Sequence, residues 1–118
     1  MTHSSTFNAA ACHVSPIYFD LDATIDKTCD LIAEAARNGA KIVAFPEAHI
    51  CAFPVWSGVR APVENHDFFV RMVKSAVTID HPAIDRVRRA AGSTTSWSPS
   101  VSTRRPRSVW AASGTPIC

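Results

Sequence analysis

The strongest constraint on the fold is an apolar run, an amphipathic helix and a second apolar run, placed in tandem within the first 45 residues. Phe7 to Val14 is small and apolar and is closed by Ser15 and Pro16, which suits a buried strand. After Asp20 and Leu21, Asp22 is placed to cap a helix. Leu21, Ile25, Cys29, Ile32 and Ala36 then recur at spacings of three and four, which puts them on one face. Asn38 and Gly39 supply the stop, because glycine tolerates the left-handed backbone that follows many helices. Lys41 to Phe45 is a second run rich in β-formers, ended by Pro46. A strand, helix and strand over about 40 residues predict a parallel pair with a right-handed crossover, and so an α/β fold.

Beyond Pro46 the order loosens. Phe53, Val55 and Trp56 lie among Pro54, Gly58 and Pro62, which predicts a long structured loop. Glu64 to Val77 is helical in pattern, with Phe68, Phe69, Met72, Val73 and Ala76 on one side. A further helix begins at Pro82, lined by Ile84, Val87 and Ala91, with Gly92 as its terminator. No internal repeat is present.

Composition changes at that glycine. Residues 1–91 carry nine Lys and Arg and all ten acids, a net of −1, whereas residues 92–118 carry three arginines and no acid. Fourteen of those last 27 residues are Ser, Thr or Pro, with no period and no strand-like run. If Gly92 to Val101 are written in one choice of mostly GC-rich codons, the triplets regrouped from the third base read Glu-His-Asp-Val-Val-Val-Ser-Leu-Gly. That is a polar turn leading into an apolar strand. We therefore expect residues 1–91 to form one unit and residues 92–118 to be an out-of-frame, disordered tail. The rival reading is a Ser/Thr/Arg-rich tail with a binding role, in which Arg104, Arg105 and Arg107 contact phosphates.

Whole classes of function are disfavoured. Three arginines make a small basic patch, so no nucleic-acid partner is expected, and no G-x-G-x-x-G opens the first helix. No stretch approaches the roughly 20 apolar residues of a membrane span, and Met1 to Asn8 lacks the order of a signal peptide. A cytoplasmic location is the expectation. It makes Cys12, Cys29, Cys51 and Cys118 free thiols rather than disulfides, and their spacing does not suit zinc.

Functional groups in α/β sheets collect at the carboxyl ends of strands, and Glu47 stands there, two residues past Phe45. Flanked by Phe45, Ala48 and Ile50, its carboxylate is expected to be partly desolvated and suited to proton transfer. The bland reading is a solvent-facing loop glutamate. Cys12 and Cys29 read as core residues, and Cys51 as packing or pocket lining. His49 and His66 read as surface or satisfied polar residues, with a pocket role as the alternative.

The run from Asn38 to Ala48, ending Phe45-Pro46-Glu47-Ala48, resembles the first catalytic motif of the nitrilase (carbon–nitrogen hydrolase) superfamily. Phe19 to Thr28 is similar to the start of that family's first helix in the true nitrilase branch. Phe53-Pro54-Val55-Trp56 and Asn65-His66-Asp67-Phe68-Phe69 follow in matching order, so the likeness runs from about Phe7 to Ala91. The resemblance implies the N-terminal portion of a nitrilase-type α-β-β-α sandwich. It also implies Glu-Lys-Cys chemistry that turns a nitrile into a carboxylic acid and ammonia through a thioimidate, with no metal or organic cofactor. Only Glu47 carries across as a catalytic residue. The family's lysine and cysteine lie downstream of the matched region, and Lys41, Lys74 and the four cysteines do not stand in those motifs. The implied partner is a small nitrile, with aliphatic nitriles, aromatic nitriles and cyanide all open. The family suggests homo-oligomers, though not for so short a fragment. The alternative is a non-catalytic α/β fragment or binding module with a basic tail.

Overall fold

The computed structural model describes residues 6–94. Their order is β1 (Asn8–Ala11), α1 (Leu21–Arg37), β2 (Ala40–Ala44), α2 (His66–Ser75) and α3 (Pro82–Thr94), with short 3-10 helices at Val55–Gly58 and Pro62–Glu64. β1 and β2 pair in parallel, Ala9 opposite Ile42 and Ala11 opposite Ala44, with one irregularity between Asn8 and Ala9. The ladder continues past β1, where the Cys12 N–H donates to the Ala44 carbonyl at 2.8 Å. The expected α/β strand–helix–strand unit is present, with shorter strands than the apolar runs suggested. The expectations for the tail from residue 95 onward, including those for Arg104, Arg105, Arg107 and Cys118, lie outside the described residues.

Helix α1 begins two residues earlier than a cap at Asp22 would set it. Asp20, not Asp22, is the cap, its Oδ1 accepting from the Ala23 N–H at 2.9 Å. Asp22 is freed to pair with Arg86 of α3, which also meets Asp26. These ion pairs are solvent-exposed, so they orient α3 against α1 more than they stabilise it. Gly39 at φ +84° turns the chain from α1 into β2, and its N–H closes on the Ala36 carbonyl at 2.9 Å.

The buried face of α1 is also rotated from the apolar pattern. Thr24, Ile25, Thr28, Ile32 and Ala35 are buried, whereas Leu21, Cys29 and Ala36 are only half-buried. Threonines can occupy this face because nearby backbone groups, in the helix and in the segment before it, satisfy their hydroxyls. Thr28 Oγ1 donates to the Thr24 carbonyl at 2.7 Å, and Thr24 Oγ1 accepts from the Ile17 N–H at 3.1 Å. α1 packs against both α3 and β2.

α2 starts at His66 after the second 3-10 helix, and Ala76 and Val77 fall outside it. Trp56 is buried, its ring stacked on Phe68 at 5.5 Å and meeting the edge of Phe69 at 4.6 Å. α3 runs to Thr94, two residues past the glycine read as its terminator. Gly92 has open space around it, and an isolated glycine inside a helix weakens it without ending it. Among the described residues twelve large apolar side chains are exposed, including Val59, Val63 and Val73.

Candidate active site

β2 delivers the chain through Phe45 and Pro46 into a turn over residues 47–51. Proline cannot donate to a ladder, so pairing stops there and the next carboxylate is set at the strand's carboxyl end. Glu47 is exposed on this turn, and its carboxylate makes no hydrogen bond or ion pair among the described residues. This corrects the expectation of a carboxylate desolvated between Phe45, Ala48 and Ile50. Those neighbours are themselves only half-buried, and nothing in residues 6–94 closes over the side chain.

The rest of the turn is anchored from below. His49, Cys51 and Ala52 are buried, while Ala48 and Ala52 hold left-handed φ values of 52° and 68°. Such a backbone is unfavourable for alanine and persists only where the surroundings hold it. The His49 ring stacks on Phe45 with centroids 4.9 Å apart, and its Nε2 lies 3.0 Å from Thr28 Oγ1. The Thr28 hydroxyl proton is committed to the Thr24 carbonyl, so His49 is assigned as the donor through Nε2. Its Nδ1 is then a bare acceptor, buried without a partner among the described residues.

Burial holds the His49 ring below the ordinary histidine value, and the Lys27 ammonium adds to that effect. The folded chain therefore prefers the neutral ring. Stability from this group is fully present above the unfolded value of about 6.5 and is lost as pH falls from there toward the lowered folded value. Urea midpoints should fall on acidification below about pH 6.5, and that slope should shrink in His49→Phe. An equal slope in both proteins would mean that His49 does not titrate with unfolding.

The remaining candidates separate. Cys51 is buried, whereas Glu47, four residues earlier on the same turn, is exposed. Burial pushes the Cys29 thiol up; Arg86 opposes this and Asp26 and Asp30 reinforce it, so little thiolate forms there. Cys12 and Cys29 are free and half-buried rather than core. Lys41 and Lys74 are exposed, and His66 is exposed at the start of α2. Lys27 is tied through Nζ to the Ser15 carbonyl at 2.7 Å. Among the described residues no group of three or more His, Cys, Asp or Glu could hold a metal ion. No described helix is long and apolar enough to cross a membrane. The sequence pattern did not single out His49 as an anchor. A histidine two residues from the candidate base was the available signal, but its Thr28 partner is 21 residues away in the chain.

A family model described as carbon–nitrogen hydrolase matches residues 8–99. The chain belongs to that family. It is 40% identical over 90 residues to a nitrilase of Bacillus sp. (strain OxB-1), covering 76% of this chain and 26% of the relative. It is 41% identical over 90 residues to an aliphatic nitrilase of Rhodococcus rhodochrous, covering 75% and 25%. A bromoxynil-specific nitrilase of Klebsiella pneumoniae subsp. ozaenae is 40% identical over 87 residues, covering 74% and 25%. The chain thus spans about a quarter of the length of the curated relatives it matches. The matched region contains both strands, all three helices and the Glu47 turn. As a carbon–nitrogen hydrolase segment of the nitrilase branch, it carries the α/β elements of the family's α-β-β-α fold.

Proposed function

We propose that this chain supplies the general-base segment of a nitrile-hydrolysing enzyme, with Glu47 as the base. The observation that carries the reading is Glu47 itself, presented without a competing partner on the turn at the carboxyl end of β2. In the reaction the resemblance implies, Glu47 accepts a cysteine thiol proton and the thiolate adds to the nitrile carbon. A lysine stabilises charge in the tetrahedral species; one water displaces ammonia from the thioimidate to leave a thioester, and a second water cleaves the thioester, releasing the carboxylic acid and returning the thiol. A thiol of ordinary pKa is mostly protonated at neutral pH, so the base is needed for this step. Relatives named for different substrates are 40% to 41% identical to this segment. That supports assigning it the shared proton transfer, and leaves the choice of nitrile to the rest of the catalytic domain. The exposed apolar side chains support the same reading, because a larger domain would cover them. We further propose a cytoplasmic protein acting on a small nitrile, with oligomerisation belonging to the complete domain. Residues 92–118 are proposed to be read out of frame, which the nucleotide sequence across that region tests.

Two preparations test the function. The 118-residue polypeptide alone should release no ammonia from aliphatic or aromatic nitriles, since a base without its nucleophile has nothing to activate. A chimera carrying residues 8–91 in place of the matched segment of the Bacillus nitrilase should release it. Ammonia from the 118-residue polypeptide that disappears in Glu47→Gln would overturn the first expectation and point to Cys51 as nucleophile.

A further inference from the structure

We propose that His49 is a positioning residue for Glu47, tying the turn that carries the carboxylate to helix α1. The inference rests on the reading of Glu47 as the base. Residues 45 and 49 flank Glu47 by two positions on either side, and their rings stack at 4.9 Å with 25° between the planes. The same imidazole reaches α1 through Thr28 Oγ1 at 3.0 Å. One side chain therefore closes the turn across Glu47 and fastens it to the helix below.

The fastening is directional. Thr28 is itself buried, and its hydroxyl is oriented by its bond to the Thr24 carbonyl, so it offers His49 a lone pair in a fixed direction. The anchored turn holds Ala48, the residue after Glu47, at φ 52°, a conformation alanine leaves when released. Loss of the anchor should therefore move the backbone that aims the carboxylate. Glu47 has no partner among the described residues to hold it otherwise.

Hydrogen exchange followed by mass spectrometry on the full 118-residue chain tests this at low concentration. Thr28→Val keeps the shape and removes the acceptor, leaving a buried N–H unpaired, so exchange over residues 47–52 should rise at least about tenfold. Exchange over β2 and α3 should stay within about twofold, because local openings are separable from global ones. Thr28→Ser, which keeps the hydroxyl, should restore protection of the turn. His49→Gln, which can reach the same acceptor but cannot stack, should fall between the two. The proposal is overturned if Thr28→Val leaves the turn unchanged, if all regions loosen alike, or if Thr28→Ser behaves as Thr28→Val does. In the chimera, His49→Phe should lower kcat by about tenfold or more with KM little changed, as misplacement of a catalytic group requires. If Glu47→Gln abolishes turnover while His49→Phe leaves kcat intact, the positioning role fails and the base assignment stands. If Glu47→Gln leaves turnover intact, the base assignment fails, and the exchange result still decides whether His49 holds the turn.

Discussion

Replacing Glu47 by Gln in the nitrilase chimera should lower nitrile turnover by at least about a hundredfold. Glutamine keeps the length and shape of the side chain and loses only the ability to accept a proton, so the effect isolates base catalysis. The side chain is exposed and makes no bond that the substitution could break. Stability should therefore change by no more than about 0.5 kcal/mol, as for an ordinary surface position. Separation of the two effects is the diagnostic outcome. A large loss of turnover with an unchanged urea midpoint identifies a chemical role. Unchanged turnover would end the general-base assignment, and a parallel loss of stability would mean that the carboxylate holds the turn together.

Ile25→Ala should have the largest effect on folding, about 3 kcal/mol, or on the order of a hundredfold in the folding equilibrium. Ile25 is fully buried on α1, the helix that packs against both α3 and β2. The buried apolar set among the described residues has eight members, three of them alanine, so few side chains could move to fill the void. Val63, 86% exposed, serves as the control, and its replacement by Ala should cost no more than about 0.5 kcal/mol. Unfolding in urea followed by far-ultraviolet circular dichroism reads both. A cost below about 1 kcal/mol for Ile25→Ala would mean that α1 is not docked as described.

The sequence by itself determined the parts governed by local rules. Two apolar runs around an amphipathic segment, with Asn38 and Gly39 between helix and second strand, specify β1, α1 and β2 because period and chain reversal are local properties. The parallel pairing follows, since a strand reached through a helix returns in the same direction. Phe45-Pro46-Glu47 also places Glu47 at the strand's carboxyl end, because proline stops the ladder wherever it falls.

Tertiary structure decided what depends on groups far apart in the chain. Asp20 rather than Asp22 caps α1, which leaves Asp22 in the first turn to meet Arg86, 64 residues away. Thr24 and Thr28 join the core although a hydropathy pattern sets threonine outside, because bonds to neighbouring carbonyls remove the penalty for burying their hydroxyls. Glu47 is exposed despite apolar neighbours in sequence, since desolvation depends on what packs over a side chain and not on what adjoins it. His49 is buried against α1 by the same logic. The left-handed backbone at Ala48 and Ala52 carries no sequence signal, because alanine does not favour it and only the anchored turn holds it there.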